Sequence, residues 1–166
     1  MPKHALSTAC SPFDTAAPQR TARRIPALLA LLTALLGSLL VSTSAPADAA
    51  TPGTAAVQEA SRHHGQPYHY GSAGPTRFDC SGFTLYVFSR FGKRLPHSSS
   101  AQYNVVRHIA KSSKQPGDLV FFRNSSGSIG HVGIYAGNGK MWDAPKSGDV
   151  VRLRALYSSN YVVGRI

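Results

Sequence analysis

Cys80, His131 and Asp143 are the residues of this chain whose types and spacing could carry out covalent chemistry. Cys80 stands in Asp79-Cys80-Ser81-Gly82-Phe83, where a helix is predicted to begin. Asp79 can cap it, and the apolar residues Phe83, Tyr86, Val87 and Phe91 follow at helical spacing. A thiol attacks only as its thiolate, and the unpaired N–H groups and dipole of a helix start favour that charge. The N–H groups of Cys80 and Ser81 would also face the oxyanion formed when a carbonyl is attacked, and Gly82 permits close approach there. His131 lies in Gly130-His131-Val132-Gly133-Ile134-Tyr135, read as a strand. Strand alternation sets His131, Gly133 and Tyr135 on one face and Val132, Ile134 and Ala136 on the other. Gly130 and Gly133 leave room for the ring to meet the helix end. Beyond an Asn138-Gly139 turn, Asp143 comes up the next strand nearly opposite His131, where its carboxylate could accept the Nδ1 proton and orient the ring. Nucleophile, base and orienter are then complete.

These residues sit behind a long leader. Residues 1–24 carry Lys3, Arg20, Arg23 and Arg24 against the single acid Asp14, and 25–41 are almost uninterruptedly apolar. Small residues follow, with Ala47-Asp48-Ala49 at the exit. That order is the one a secretory signal peptide shows, so 1–49 is expected to be removed on export. The apolar run reaches the lower edge of a membrane-spanning length, yet Pro26, Gly37 and the alanine-rich exit favour cleavage, and no stable anchor is expected. Arg23-Arg24 leaves both the general and the twin-arginine export routes open. Cys10 departs with the leader, so Cys80 has no internal disulfide partner.

The remaining 117 residues suffice for one domain: a short leader at 50–54 and a folded unit over 55–166. They hold 14 Lys and Arg against five acids, a formal charge of +9, which suggests an anionic partner. The basic residues are scattered, with no basic helix or aromatic-interleaved stripe, which argues against nucleic acid; an anionic cell envelope satisfies the same electrostatics. His63, His64, His69, His97 and His108 fit no metal-ligand spacing, and the chemistry above requires neither metal nor cofactor.

Positioning elements are legible as well. A helix is expected over 55–64, capped by Thr54 and stopped by Gly65, then a Gly/Pro-rich loop over 66–76, the Cys80 helix ended by Gly92, and a short helix from Ser98 or Ser99 to about Val106. Strands are predicted over 118–123, 131–136, 140–144, 150–155 and 161–166. Helices first and consecutive antiparallel strands afterwards make an α+β domain, the helices packed on a mostly antiparallel sheet of five to six strands.

The Cys80 and His131 segments, together with Pro116-Gly117-Asp118-Leu119-Val120-Phe121-Phe122 and Pro67-Tyr68-His69-Tyr70-Gly71, resemble the NlpC/P60 family of cell-wall cysteine peptidases over about 55–166. The resemblance implies a papain-like fold and cleavage of peptidoglycan stem peptides, usually between D-γ-glutamyl and the following diamino acid. By position it makes Cys80 the nucleophile and His131 the base, puts Tyr68 at the oxyanion site, and has Asp79 and Ser81 help hold the stem peptide. One departure is Asp143, in Met141-Trp142-Asp143-Ala144-Pro145, where the family commonly carries histidine. An amidase, an acyltransferase and a non-catalytic wall-binding module are the alternatives consistent with the same residues.

Overall fold

The computed structural model describes residues 51–166; the expected signal peptide, with Cys10, lies outside them. The first helix, α1 (Pro52–Ser61), starts three residues earlier than the sequence reading placed it. Thr51 rather than Thr54 is the cap: its Oγ1 accepts from the Thr54 N–H, and Pro52 occupies a first-turn position where a missing N–H costs nothing. Helix α2 (Cys80–Ser89) is capped by Asp79 as expected. It closes before Phe91, which is left 41 % exposed beyond the helix end, with Gly92 at φ +71 and the Lys93 N–H turned back onto the Phe88 carbonyl. Helix α3 (Ser99–Val105) starts from the Ser98 side chain.

Six strands follow: β1 (Arg107–Ile109), β2 (Leu119–Arg123), β3 (Ile129–Gly137), β4 (Lys140–Asp143), β5 (Arg152–Ala155) and β6 (Tyr161–Arg165). They form one antiparallel sheet in the order β1-β6-β2-β3-β4-β5. Strand β1 is absent from the sequence reading: three residues, two of them exposed, give no alternation to detect. It exists by pairing with β6, Arg107 opposite Arg165.

Alternation assigns the two faces as expected. Leu119, Phe121, Val132 and Ile134 point to the helices, where they meet Phe78, Phe83, Val87, Ala56 and Ala60. Val120, Phe122, Tyr135 and Met141 form a smaller apolar layer on the other face, flanked by Leu156 and Tyr161. Each fully buried aromatic or aliphatic side chain contributes about 1.5–3 kcal/mol. That double burial explains why β2 and the middle of β3 are continuously apolar. The Pro116-Gly117 turn is welded to α1: a Cβ at Gly53 would come within 2.1 Å of the Pro116 carbonyl oxygen. Arg165 grips both oxygens of buried Asp118 at 2.6 and 2.8 Å, fixing β6 to the same turn.

Candidate active site

Asp79 does more than cap α2. Its Oδ1 accepts from the Gly82 N–H at 2.7 Å and the Ser81 hydroxyl at 3.0 Å. Its Oδ2 accepts from the Gly71 N–H at 2.9 Å and meets His97 Nε2 at 2.9 Å. One buried carboxylate thus ties together the helix start, the 66–76 loop and the segment leading into α3. Asp79 and Ser81, expected to hold substrate, both line the pocket beside Cys80, but their polar side-chain atoms are engaged within the protein. Gln102, absent from the sequence reading, completes the anchoring from α3: fully buried, it donates to the Ser81 and Pro96 carbonyls at 2.8 and 2.9 Å and accepts from Thr84.

Gly82 is where this packing is tightest. A Cβ there would lie 2.1 Å from the Ser72 carbonyl oxygen, 2.8 Å from Ala73 Cα and 2.9 Å from His97 Nε2. Backbone on one side and the Asp79 partner on the other leave nothing free to yield. Gly82→Ala is therefore expected to lower stability by about 2–3 kcal/mol, read as a fall in Tm, and to displace the loop over Cys80. An unchanged melting curve would show that the loop gives way freely.

The sulfur stands at the first position of α2, and the N–H groups of Cys80 and Ser81 have no hydrogen-bond partner among the described residues, whereas Gly82 donates to Asp79 and Phe83 to the Asp79 carbonyl. Two unsatisfied donors at a helix start suit a developing negative charge. Tyr68 lines the same pocket, a space of about 320 Å³ shared with Tyr70, Asp79, Ser81 and His97. Burial pushes the Tyr68 phenol above its ordinary pKa, and the charges of Cys80 and Asp79 add to that, so the hydroxyl stays a donor near neutrality. A larger and more apolar hollow of about 490 Å³, between the start of α1 and the Pro116-Gly117 turn, contains none of the expected site residues.

His131 approaches Cys80 from the sheet face away from the helices. A bulge does the re-aiming: Phe122 pairs with His131 but Arg123 pairs with Ile129, leaving Gly130 as the extra residue beside the pocket. The His131 ring is hydrogen-bonded to Asp143 and is close enough to Cys80 for the thiol to act on its charge. Contact with Asp143 is through Nε2, at 2.6 Å from Oδ2, not through Nδ1 as the sequence reading had it. The reason is register. Ile134 pairs with Trp142 and Tyr135 with Met141, so Asp143 falls opposite Gly133, diagonal to His131, and the carboxylate reaches the far end of the ring. Nδ1 is left for the thiol. Gly133 is the glycine that makes room: a Cβ there would meet Met141 Sδ at 2.9 Å and Asp143 Cβ at 3.2 Å, while one at Gly130 would find only ordinary contact.

Electrostatically the pair is strongly coupled. Burial disfavours the charged imidazole, but the hydrogen bond to Asp143 and the negative charges of Cys80 and Asp143 outweigh it and raise the His131 pKa to about 9. Burial likewise disfavours the Asp143 carboxylate, and hydrogen bonds from His131 and Arg154 reverse the balance and hold its pKa below the ordinary carboxylate value. Arg154 is a further residue the sequence reading missed. Its signal was the alternation of Arg152 and Arg154 on a strand two turns away from the histidine, which cannot be read without the β4–β5 register that sets Arg154 opposite Met141.

A helix-borne cysteine turned toward an imidazole on an open antiparallel sheet has the layout of the cysteine-hydrolase class. The chain belongs to the NlpC/P60 family, whose model matches residues 65–163. It is 49 % identical over 111 residues to a probable endopeptidase p60 of Listeria seeligeri, an alignment covering 65 % of this chain and 21 % of that protein. It is 40 % identical over 114 residues to the gamma-DL-glutamyl hydrolase of Bacillus subtilis, covering 67 % of this chain and 28 % of that one. Both relatives are thus several times longer than the matched region. Among solved structures, the NlpC/p60 domain of the peptidoglycan hydrolase SagA superposes with a TM-score of 0.64 at 32 % identity, over 70 % of this chain and 100 % of that domain.

Proposed function

We propose that this protein is an exported cysteine endopeptidase that hydrolyses peptidoglycan stem peptides at the bond between D-γ-glutamate and the following diamino acid. The observation that carries the reading is the Cys80–His131–Asp143 chain at the start of α2, within a domain of a family that includes relatives named endopeptidase p60 and gamma-DL-glutamyl hydrolase. In this reading the Cys80 thiolate attacks the γ-glutamyl carbonyl carbon. The oxyanion is received by the N–H of Cys80 and the Tyr68 hydroxyl, and the imidazolium of His131 gives its proton to the departing amine as the C–N bond breaks. A water, losing its proton to His131, then attacks the thioester, and the C–S bond breaks to restore the Cys80 thiolate beside the His131 imidazolium. Asp143 holds the imidazole throughout, while Asp79 and Ser81 set the position of the nucleophile. No metal or cofactor enters any step.

Export rests on residues 1–49, outside the described structure, and the basic surplus of the remaining chain suits an anionic wall. Among the described residues no helix is long and apolar enough to cross a membrane. Mass spectrometry of products from defined stem peptides tests the reading. Release of a fragment ending in D-γ-glutamate is the expected result. Cleavage at the glycan–peptide junction would make the protein an amidase, a product carrying a new amide would make it an acyltransferase, and intact substrate would leave a binding module.

A further inference from the structure

Asp143 is wholly buried yet has two cationic neighbours, of which His131 is only one. From β5, Arg154 lays its guanidinium along the carboxylate: Nε donates to Oδ1 at 3.0 Å and to Oδ2 at 3.1 Å, and Nη2 donates to Oδ2 at 2.5 Å. Arg154 and His131 therefore meet on the same oxygen, Oδ2. A carboxylate gripped by this planar fork cannot turn without losing several charge-assisted hydrogen bonds. Arg154 is itself held from its other side. The Tyr157 ring lies 4.5 Å from the guanidinium carbon and stacks on Phe122 at 4.2 Å and 15°, and Phe122 is the strand partner of His131. Five side chains thus close a ring: His131, Asp143, Arg154, Tyr157 and Phe122.

The geometry points to Arg154 as a positioning residue for the cysteine–histidine pair: its guanidinium fixes the Asp143 carboxylate and takes a share of its charge, so that His131 is aimed at Cys80 by an anion only partly its own. This rests on the roles assigned to Cys80 and His131 in the proposed function and adds a residue from a separate strand. The groups facing the pair are Cys80 from α2, Asp143 from β4, Arg154 from β5 and Tyr157 just beyond it. Asp149, before β5, acts on Arg154 and is paired with Arg152, the strand partner of Asp143. Of these, Arg154 is the group that donates to Asp143 besides His131. Without that charge the whole carboxylate charge falls on the imidazolium, which then holds its proton more tightly.

Following the His131 ring by NMR across pH, alongside the rate of Cys80 alkylation by iodoacetamide, tests this without any substrate. A failure of the endopeptidase reading therefore leaves the result intact. In Arg154→Met and Arg154→Gln the ring is expected to titrate about 0.5–1 unit higher than in the unaltered protein. Arg154→Lys keeps a point charge but no fork, so its titration should stay near the original while alkylation at pH 7 slows several-fold. Titration of both uncharged variants at the original midpoint would overturn the assignment. Should circular dichroism show both unfolded, Arg154→Lys decides: an unmoved midpoint with slower alkylation supports the role, and the original alkylation rate overturns it.

Discussion

Cys80→Ala is expected to reduce cleavage of γ-D-glutamyl peptides by about 10⁴-fold or more while leaving the domain folded. No other described cysteine can take over the attack. Binding and the helix-start donors can still hold substrate, so KM should change far less than kcat. The fold should survive because Cys80 only flanks the helix-side core, whose buried centre is Phe78, Phe83, Leu119 and Phe121, and Val120 and Met141 fill the other face without it. Cys80→Ser sharpens the experiment, for a hydroxyl can still hydrogen-bond to His131 but ionises too weakly to attack. Loss of turnover in both variants, with Tm within a few degrees of the original, is the expected pattern. Residual cleavage near the original rate would remove Cys80 from the mechanism.

Asp143→Asn should be the next most damaging change, for a different reason. The amide fills the same space but carries no charge, leaving His131 and Arg154 facing a neutral group in a fully buried position. We expect kcat to fall on the order of 10²-fold with KM little altered, because the lost interaction is with the charged imidazole. A pH signature accompanies it. In the folded protein His131 titrates at about 9, against 6.5 for a free imidazole, so its contribution to stability is fully present below pH 6.5 and is lost as pH rises through 9. That shift corresponds to roughly 3 kcal/mol. The variant should lose most of this slope, and the alkaline limb of its activity should move down from near pH 9. Tm and kcat measured from pH 6 to 10 check both. A variant whose limb stays where it was would show that the carboxylate does not govern the imidazole.

The parts of this site legible in the sequence are those governed by local rules. Asp79 announces a helix cap, the Asn138-Gly139 turn announces a hairpin, and alternation sorts His131 and Tyr135 from Val132 and Ile134, as the two core layers bear out. What escaped depends on register between separate elements. Whether Asp143 meets Nδ1 or Nε2 turns on a two-residue offset across β3 and β4, and the grip of Arg154 on Asp143 needs the β4–β5 pairing besides. The start of the first helix is ambiguous from sequence because two threonines three apart can each cap, and it is Thr51, the one followed by proline, that does so. Strand β1 had too little pattern of its own to be seen.

The fourfold grip of Asp79 has a consequence for how such a cleft could change its preferences. Because nucleophile and rim hang from one carboxylate, the rim cannot drift while the sulfur stays put, and a backbone rearrangement there would disarm the attack. Selectivity is therefore best altered through outward-facing groups that leave that knot untied. Tyr70, 82 % exposed at the mouth of the pocket, is such a place. Retuning by exchange of single side chains, with the scaffold left rigid, is the route this architecture favours.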